Sequence, residues 1–186
     1  KTHILENPVV IDNSTEIFSF DDREVNIGVV GRLAPEKNIL SVLKMIREER
    51  FRCYINIKFH FVGGAGANKT YHKHCRAKIE ADPLCVYHGE VKDLENTNFF
   101  SSLDGILRFD NHYSIGRSVL EALHFGLNVY TQKDIFSTLS ERIDGLEERK
   151  FQSLETTDMF CFSKANRSSK GEATRLLNSN YLRTFK

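Results

Sequence analysis

The sequence predicts an α/β protein with a Rossmann-like, doubly wound parallel sheet and helices on both faces. Three observations predict it: β-type apolar runs alternate with helical patterns, several of the runs end at glycine-containing turns, and no internal repeat or low-complexity segment interrupts the alternation. Such alternation is typical of βαβ units, whose right-handed crossovers cover both faces of a parallel sheet. Because parallel strands end at one edge, we expect the turns that follow them to form a ligand site there.

The predicted strands and helices follow one another in a regular order. The β-branched, mostly apolar run Val25–Val30 is typical of a buried parallel strand. After it the pattern predicts a helix over residues 39–50, a strand over 54–62, a polar helix over 69–81, a strand over 84–87 and a brief helix over 93–101. It continues with a strand over 105–109, a helix over 114–125, a strand over 127–131, a helix over 136–143, a strand over 159–162 and a helix over 165–177. We therefore expect the Rossmann-like domain at 25–162, after an interdomain linker with a short strand at 1–24 and before a C-terminal helix and tail at 163–186.

The composition excludes several functional classes. With 40% apolar and 27% charged residues in 186, the chain has the make-up of a soluble globular domain. The net charge of +1 argues against a broad surface for nucleic acid, and no apolar run approaches the ~20 residues that span a bilayer. The four cysteines are dispersed, which is typical of reduced cytosolic thiols. We expect a cytoplasmic domain that contacts neither nucleic acid nor membrane by itself.

Two basic residues flank the turn after the first predicted strand. Arg32 follows Gly31 directly, and Lys37 lies at the start of the next helix. A guanidinium fork and a mobile ammonium can grip a diphosphate from two sides. Taken alone, the same two residues are equally compatible with solvated surface charges.

A second candidate phosphate-binding element lies at residues 116–126. Gly116 opens an apolar helix whose first main-chain N–H groups, at Arg117 and Ser118, are free to bind an anion. Glu121, one turn further on, could accept hydrogen bonds from two vicinal hydroxyls such as those of a ribose. The simpler interpretation is that Glu121 is a helix acid that complements the dipole.

A histidine- and cysteine-containing stretch does not indicate a metal site. His72, His74 and Cys75 lie close together, but their spacing matches no zinc pattern, and His72 and His74 cannot share a helix face. We interpret these histidines as exposed residues of a polar helix, and we predict no metal ligands.

Four motifs together resemble the C-terminal, donor-binding half of a GT-B glycosyltransferase, in particular the retaining family 4 that uses nucleotide-sugars. They occur in the family's order and spacing between residues 9 and 131. The motifs are Gly31-Arg32-Leu33-Ala34-Pro35-Glu36-Lys37, then Phe61-Val62-Gly63-Gly64-Ala65-Gly66, then Val86-Tyr87-His88-Gly89-Glu90-Val91, and finally Gly116 to Leu120-Glu121-Ala122 with Gly126 to Val129.

The resemblance implies a role for each motif. Arg32 and Lys37 would stabilise the leaving nucleotide diphosphate without a bound metal or other cofactor. Gly31 would bind the donor at the turn beside them, while main-chain N–H groups of Gly116, Arg117 and Ser118 would bind the phosphates. Glu121 would hold the ribose, and main-chain groups around His88 would face the base. The donor would be a UDP- or GDP-sugar.

The chain departs from the family at one position. The family has a first glutamate, which contacts the transferred sugar, eight positions before the second, and here Tyr113 stands there. A phenol can hydrogen-bond a sugar hydroxyl but cannot supply a carboxylate charge. Three alternatives stay open: the donor sugar differs, Asp110 substitutes from a shifted loop, or activity is lost.

The leading hypothesis is a donor-binding domain of a retaining hexosyltransferase for glycan or lipid acceptors in surface polysaccharide assembly. The resemblance implies a separate N-terminal acceptor domain that these residues do not encode, so we expect no transferase activity from this domain alone. The parent enzyme would work in the cytoplasm, at the inner face of a membrane. The alternatives are a non-catalytic sugar-nucleotide-binding or interaction domain, a nucleotide-sugar epimerase and, least supported, a flavodoxin-like regulatory domain.

Overall fold

The computed structural model describes residues 18–47, 56–110, 116–132 and the backbone of 151–154. Its strands are β1 (Val25–Val30), β2 (Ile57–Val62), β3 (Cys85–Gly89), β4 (Gly105–Arg108), β5 (Asn128–Gln132) and β6 (Phe151–Leu154). Its helices are α1 (Ile39–Arg47), α2 (Lys69–Glu80), α3 (Phe99–Ser102) and α4 (Arg117–His124), with 3₁₀ turns at Pro35–Lys37 and Leu94–Asn96.

The six strands form one sheet in the order β3-β2-β1-β4-β5-β6, and every pairing is parallel. This is the strand order of the Rossmann fold. The strands β1 to β3 are added towards one edge of the sheet, and β4 to β6 are added from β1 towards the other edge. The predicted α/β, Rossmann-like fold is therefore confirmed. This change of direction also defines where a ligand is expected, in the crevice outside the carboxyl ends of β1 and β4.

Helices cover the two faces of the sheet through separate apolar clusters. On one face, side chains of α1 and α2 such as Leu43 and Ile79 pack with Phe59 and Phe61 of β2. On the other face, α3 and α4 pack against the sheet through a second cluster, whose members include Phe99, Phe100, Leu103, Val119 and Leu123. Successive strand residues point to opposite faces, so β1, β2, β4 and β5 contribute side chains to both clusters.

The segment that precedes β1 is attached to the second of these faces. Asn98 holds the backbone of Phe18 on both sides, accepting from its N–H at 2.9 Å and donating to its carbonyl at 2.6 Å. The Phe18 ring meets Phe99 edge-on, with 5.0 Å between ring centroids. Residues 18–24, which the sequence assigns to a linker, thus pack on the domain.

Most of the predicted elements agree with the observed ones within a few residues. The strand β6 is the difference, since the sequence predicts no strand at Phe151–Leu154. Only two of its four residues are apolar, and it joins the sheet by pairing with β5, for example Val129 opposite Phe151. The expected helices at 136–143 and 165–177 and the strand at 159–162 lie outside the described residues.

Candidate functional site

Three glycine-containing turns meet at the carboxyl edge of the sheet. Gly31 after β1 donates its N–H to the carbonyl of Val62 at 2.9 Å, and Gly63 after β2 donates to the carbonyl of Gly89 at 2.8 Å. At Gly63, where φ is +151°, a Cβ atom would lie only 2.0 Å from the carbonyl oxygen of Gly31. Glycine is therefore required at Gly63, because no side chain fits between the first two turns.

An ion-pair network joins the β1–α1 turn to the end of β4. Lys37 Nζ donates to Asp110 Oδ2 at 2.8 Å, and Arg108 Nε donates to Asp110 Oδ1 at 2.7 Å. The side chains of Arg108 and Asp110 are 6% and 8% exposed, whereas that of Lys37 is 30% exposed. A buried charge of this kind is tolerated because the carboxylate has two cationic partners. The network places the Lys37 ammonium at the crevice between β1 and β4.

A narrow pocket lies at this crevice. Its walls come from the ends of β1 and β4, from the start of α1 and from the first turn of α4, and they include Val30, Lys37, Phe109, Asp110 and Ser118. The cavity holds ≈ 20 Å³, about the space of one water molecule. The structure thus brings Lys37 and Ser118, both predicted phosphate-binding residues, to the same pocket.

The first turn of α4 faces this region with main-chain donors. Gly116 caps the helix in an extended conformation, with φ −74° and ψ 152°, and has no side chain that could satisfy the first N–H groups. Helix geometry leaves the N–H groups of Arg117 and Ser118 without a carbonyl partner inside α4. These are the groups, together with the positive end of the helix dipole, that bind anions at helix starts.

Glu121 lies further along α4 and is held by a neighbouring arginine. Its residue is 5% exposed, and its Oε1 accepts from Arg117 Nε at 2.9 Å. Arg117 also contacts the carboxylate of Glu95, in the 3₁₀ turn that follows β3. Burial raises the pKa of Glu121, and the Arg117 guanidinium partly offsets that rise. Glu121 is therefore a buried acceptor, and Arg117 links it to Glu95 in the 3₁₀ turn that follows β3.

Arg32 differs from Lys37 in being a surface residue. Its side chain is 65% exposed, and its closest ion-pair contact runs to Glu36 Oε1 at 3.5 Å. Exposed pairs at this distance contribute little to stability, so the guanidinium is available to exchange partners. The N–H of Gly31 donates to the carbonyl of Val62, so the backbone of Arg32 begins beside the turn that follows β2.

The side chain of His88 takes part in a row of hydrogen bonds with the side chains of His60 and Asn26. His60 Nδ1 is 3.0 Å from His88 Nε2, and His60 Nε2 is 3.0 Å from Asn26 Oδ1. The ring of Phe20 stacks on His60, with centroids 3.8 Å apart. Burial lowers the pKa of both histidines, that of His60 to about 3. The side chain of His88 is thus engaged with the core, and the predicted contact to the base rests on the main chain near it.

Sequence reasoning found the turns but overlooked part of the network around them. It did not single out Arg108 as a site residue, although an arginine that ends a strand of otherwise apolar residues and glycine was a visible signal. Asp110 was named only as a substitute for the missing glutamate, whereas its carboxylate is bonded to Arg108 and Lys37. Tyr113 lies outside the described residues. The predicted roles of the site residues stay predictions.

The chain shares its fold with parts of longer proteins of known structure. The chain is similar to TarM, with a TM-score of 0.56 at 17% identity over 94% of this chain and 32% of that one. It is similar to Anabaena Alr3699/HepE, crystallised with UDP and glucose, with a TM-score of 0.53 at 14% identity over 86% of this chain and 40% of that one. The Rossmann-like fold of this chain thus matches one part of GT-B glycosyltransferase structures.

A third similarity concerns a separate C-terminal domain. The C-terminal domain of the glycosyl transferase group 1 family protein LpcC from Francisella tularensis matches with a TM-score of 0.50 at 17% identity, over 85% of this chain and 77% of that one. By contrast, the chain spans only about a third to two-fifths of the length of TarM and HepE. No protein-family model matches the sequence, and no curated protein matches it.

Each of the helices α1 to α4, which lie within residues 18–47, 69–80, 99–102 and 117–124, is too short or too polar to span a bilayer.

Proposed function

We propose that this chain is the nucleotide-sugar donor-binding domain of a retaining, family 4-type glycosyltransferase. The observation that carries the proposal is the pocket between the ends of β1 and β4, which is lined by Lys37 and by Ser118 of the first turn of α4. A fold neighbour, HepE, was crystallised with UDP and glucose, which supports a uridine or related nucleotide here.

The chemistry assigned to the site is stabilisation of a departing nucleoside diphosphate. Lys37 and the N–H groups of Arg117 and Ser118 would bind the phosphate oxygens, and Arg32 would close over them from the surface. Preorganised donors aimed at a developing negative charge lower the barrier to leaving-group departure. These donors would meet the diphosphate charge with no metal ion.

Glu121 would bind the ribose. Its Oε1 accepts from Arg117 Nε at 2.9 Å, and the carboxylate oxygens have further lone pairs that can accept from two ribose hydroxyls. Main-chain groups after β3 would contact a uracil or guanine. The transferred hexose would be bound by Tyr113, and a partner acceptor domain would complete the catalytic centre.

The whole enzyme would transfer the sugar to a glycan or lipid in surface polysaccharide synthesis. It would work in the cytoplasm at the inner face of a membrane, with the acceptor domain supplying the second half of the site. The domain by itself would bind the donor without transferring sugar.

One observation favours a second candidate, a non-catalytic domain that has kept the fold. Lys37 is paired with Asp110 and Glu121 with Arg117, and the pocket between β1 and β4 holds only ≈ 20 Å³. A binding site that has lost its ligand would also satisfy its charges internally. The two candidates differ in whether the domain binds a nucleoside diphosphate.

Calorimetric titration of the domain with UDP, GDP and ADP distinguishes the candidates. The donor-binding proposal predicts saturable binding of UDP or GDP and its loss in Arg32→Ala. Because Arg32 is an exposed residue with a weak ion pair, its replacement is expected to leave the fold intact.

The matched control is Arg76→Ala on α2. Arg76 is also an exposed arginine in an i,i+4 pair, with Glu80 at 2.7 Å, but it belongs to a helix on a face of the sheet rather than to a turn at its carboxyl edge. Unchanged affinity in Arg32→Ala, or an equal loss in both variants, would reject the assigned site. Absence of binding by all three nucleotides would favour the non-catalytic domain.

A further inference from the structure

Asp110 uses both of its carboxylate oxygens to hold cations at the mouth of the site. Oδ2 accepts from Lys37 Nζ at 2.8 Å and Oδ1 accepts from Arg108 Nε at 2.7 Å. The two partners differ in mobility, since Arg108 is 6% exposed and Lys37 is 30% exposed. Arg108 is therefore a fixed partner of Asp110, and Lys37 is a partner that can leave.

The Asp110 carboxylate lies in the pocket that the proposed function assigns to the phosphates. It lines the same pocket as Lys37 and Ser118, within hydrogen-bond distance of the ammonium that a phosphate would need. The Lys37 stem runs along Gly31, where an added Cβ would meet Lys37 Cδ at 3.6 Å, so the side chain is laid across the turn towards β4. In this arrangement the ammonium is already neutralised, and the remaining cavity is too small for a phosphate group.

We propose that Asp110 is an internal competitor for Lys37, a latch that a diphosphate must displace. This inference rests on the proposed function. A diphosphate carries more negative charge than one carboxylate, and it can receive Lys37 and the first N–H groups of α4 together. Lys37 then exchanges Asp110 for phosphate oxygens.

Arg108 makes this exchange possible. Leaving a buried carboxylate without a partner is strongly unfavourable. When Lys37 departs, Asp110 keeps its hydrogen bond to the buried Arg108, so no uncompensated charge remains in the core. The latch thus sets the affinity of the site and ties the β1–α1 turn to β4 until an anion arrives.

The test compares Asp110→Asn with the wild type, using UDP and inorganic pyrophosphate as probes in calorimetry and thermal unfolding as the second readout. The amide lacks the charge that competes for Lys37. We therefore expect about tenfold tighter binding of both probes, together with a lower unfolding temperature because Arg108 loses its carboxylate. A purely structural role would lower both affinity and stability.

A matched control comes from the opposite end of the same strand. Asp104 is also fully buried, and it accepts from the main-chain N–H of Asn26 at 2.9 Å just before β4 begins. Asp104→Asn is expected to lower the unfolding temperature without tightening the binding of either probe.

The outcomes separate the latch from the site itself. If the wild type binds UDP, Lys37→Ala loses binding and Asp110→Asn binds no more tightly, the latch is wrong and the proposed function stands. If neither the wild type nor Asp110→Asn binds either probe, both are wrong.

A further readout needs no folded Asp110 variant. In wild-type protein, pyrophosphate is expected to shift the ¹³Cγ resonance of Asp110 as Lys37 leaves. An unchanged resonance at saturation would overturn the latch.

Discussion

Acidification is expected to destabilise the domain through a histidine that the fold keeps neutral. Asn26 donates its amide N–H groups to the carbonyls of Asp21 and Glu24, so its Oδ1 faces His60. His60 therefore donates from Nε2, and its Nδ1 accepts from the Nε2–H of His88. In this arrangement a second proton, on His60 Nδ1, would face the Nε2–H donor of His88.

The size of the loss in unfolding free energy follows from the shift in the pKa of His60. Burial, with smaller effects of the His88 and Lys58 charges, lowers the pKa of His60 to about 3, compared with about 6.5 in an unfolded chain. Below pH 6.5 the unfolded state binds more protons, so stability falls as the pH falls and is fully present above about pH 7. At pH 5 the loss from His60 is about 2 kcal/mol, and the lowered pKa of His88 acts in the same direction.

Urea unfolding at pH 7 and pH 5 measures this effect. His60→Gln cannot titrate, so its stability is expected to change between the two pH values by about 2 kcal/mol less than that of the wild type. His74→Gln, which replaces an exposed histidine of α2, controls for the loss of a histidine as such. Parallel pH dependences in the wild type and His60→Gln would refute the reasoning.

Two further predictions concern local features. Gly63→Ala is expected to destabilise the domain by about 3 kcal/mol or more, because its Cβ would lie 2.0 Å from the Gly31 carbonyl oxygen. Gly89→Ala, with φ +76° and no atom within 4 Å of the added Cβ, is expected to cost only about 1 kcal/mol, and equal losses in urea unfolding would contradict this account. The Cys85 thiol, whose pKa is raised by burial to about 12, is expected to stay unmodified by iodoacetamide at pH 8 in the native protein. Peptide mass spectrometry checks this, and rapid labelling before unfolding would show that the thiol is accessible.

The local features of the fold were predictable from the sequence. The buried strand Val25–Val30, the glycine turns after β1 and β2, and the helix that starts after Gly116 all follow from spacing and turn chemistry over a few residues. The alternation of strands and helices predicts a doubly wound parallel sheet, because few topologies satisfy right-handed crossovers, but it does not fix the order of the strands.

The long-range contacts were not predictable in the same way. Lys37 and Asp110 are 73 residues apart, and nothing in either local sequence indicates that they form an ion pair. His60 and His88 meet only because β2 and β3 are neighbours in the sheet. β6 depends on its pairing with β5 rather than on its own four residues. Tertiary pairing, rather than local propensity, decided these features.

The central claim is that a nucleoside diphosphate binds at the carboxyl ends of β1 and β4. The most direct measurement is an ¹H–¹⁵N NMR titration of the domain with UDP and GDP, read at the backbone amides. The account predicts the largest shifts for Gly31, Lys37, Arg117 and Ser118, with little change along α2 (Lys69–Glu80). Saturable shifts centred on α2, or no shift at any amide with either nucleotide, would contradict it.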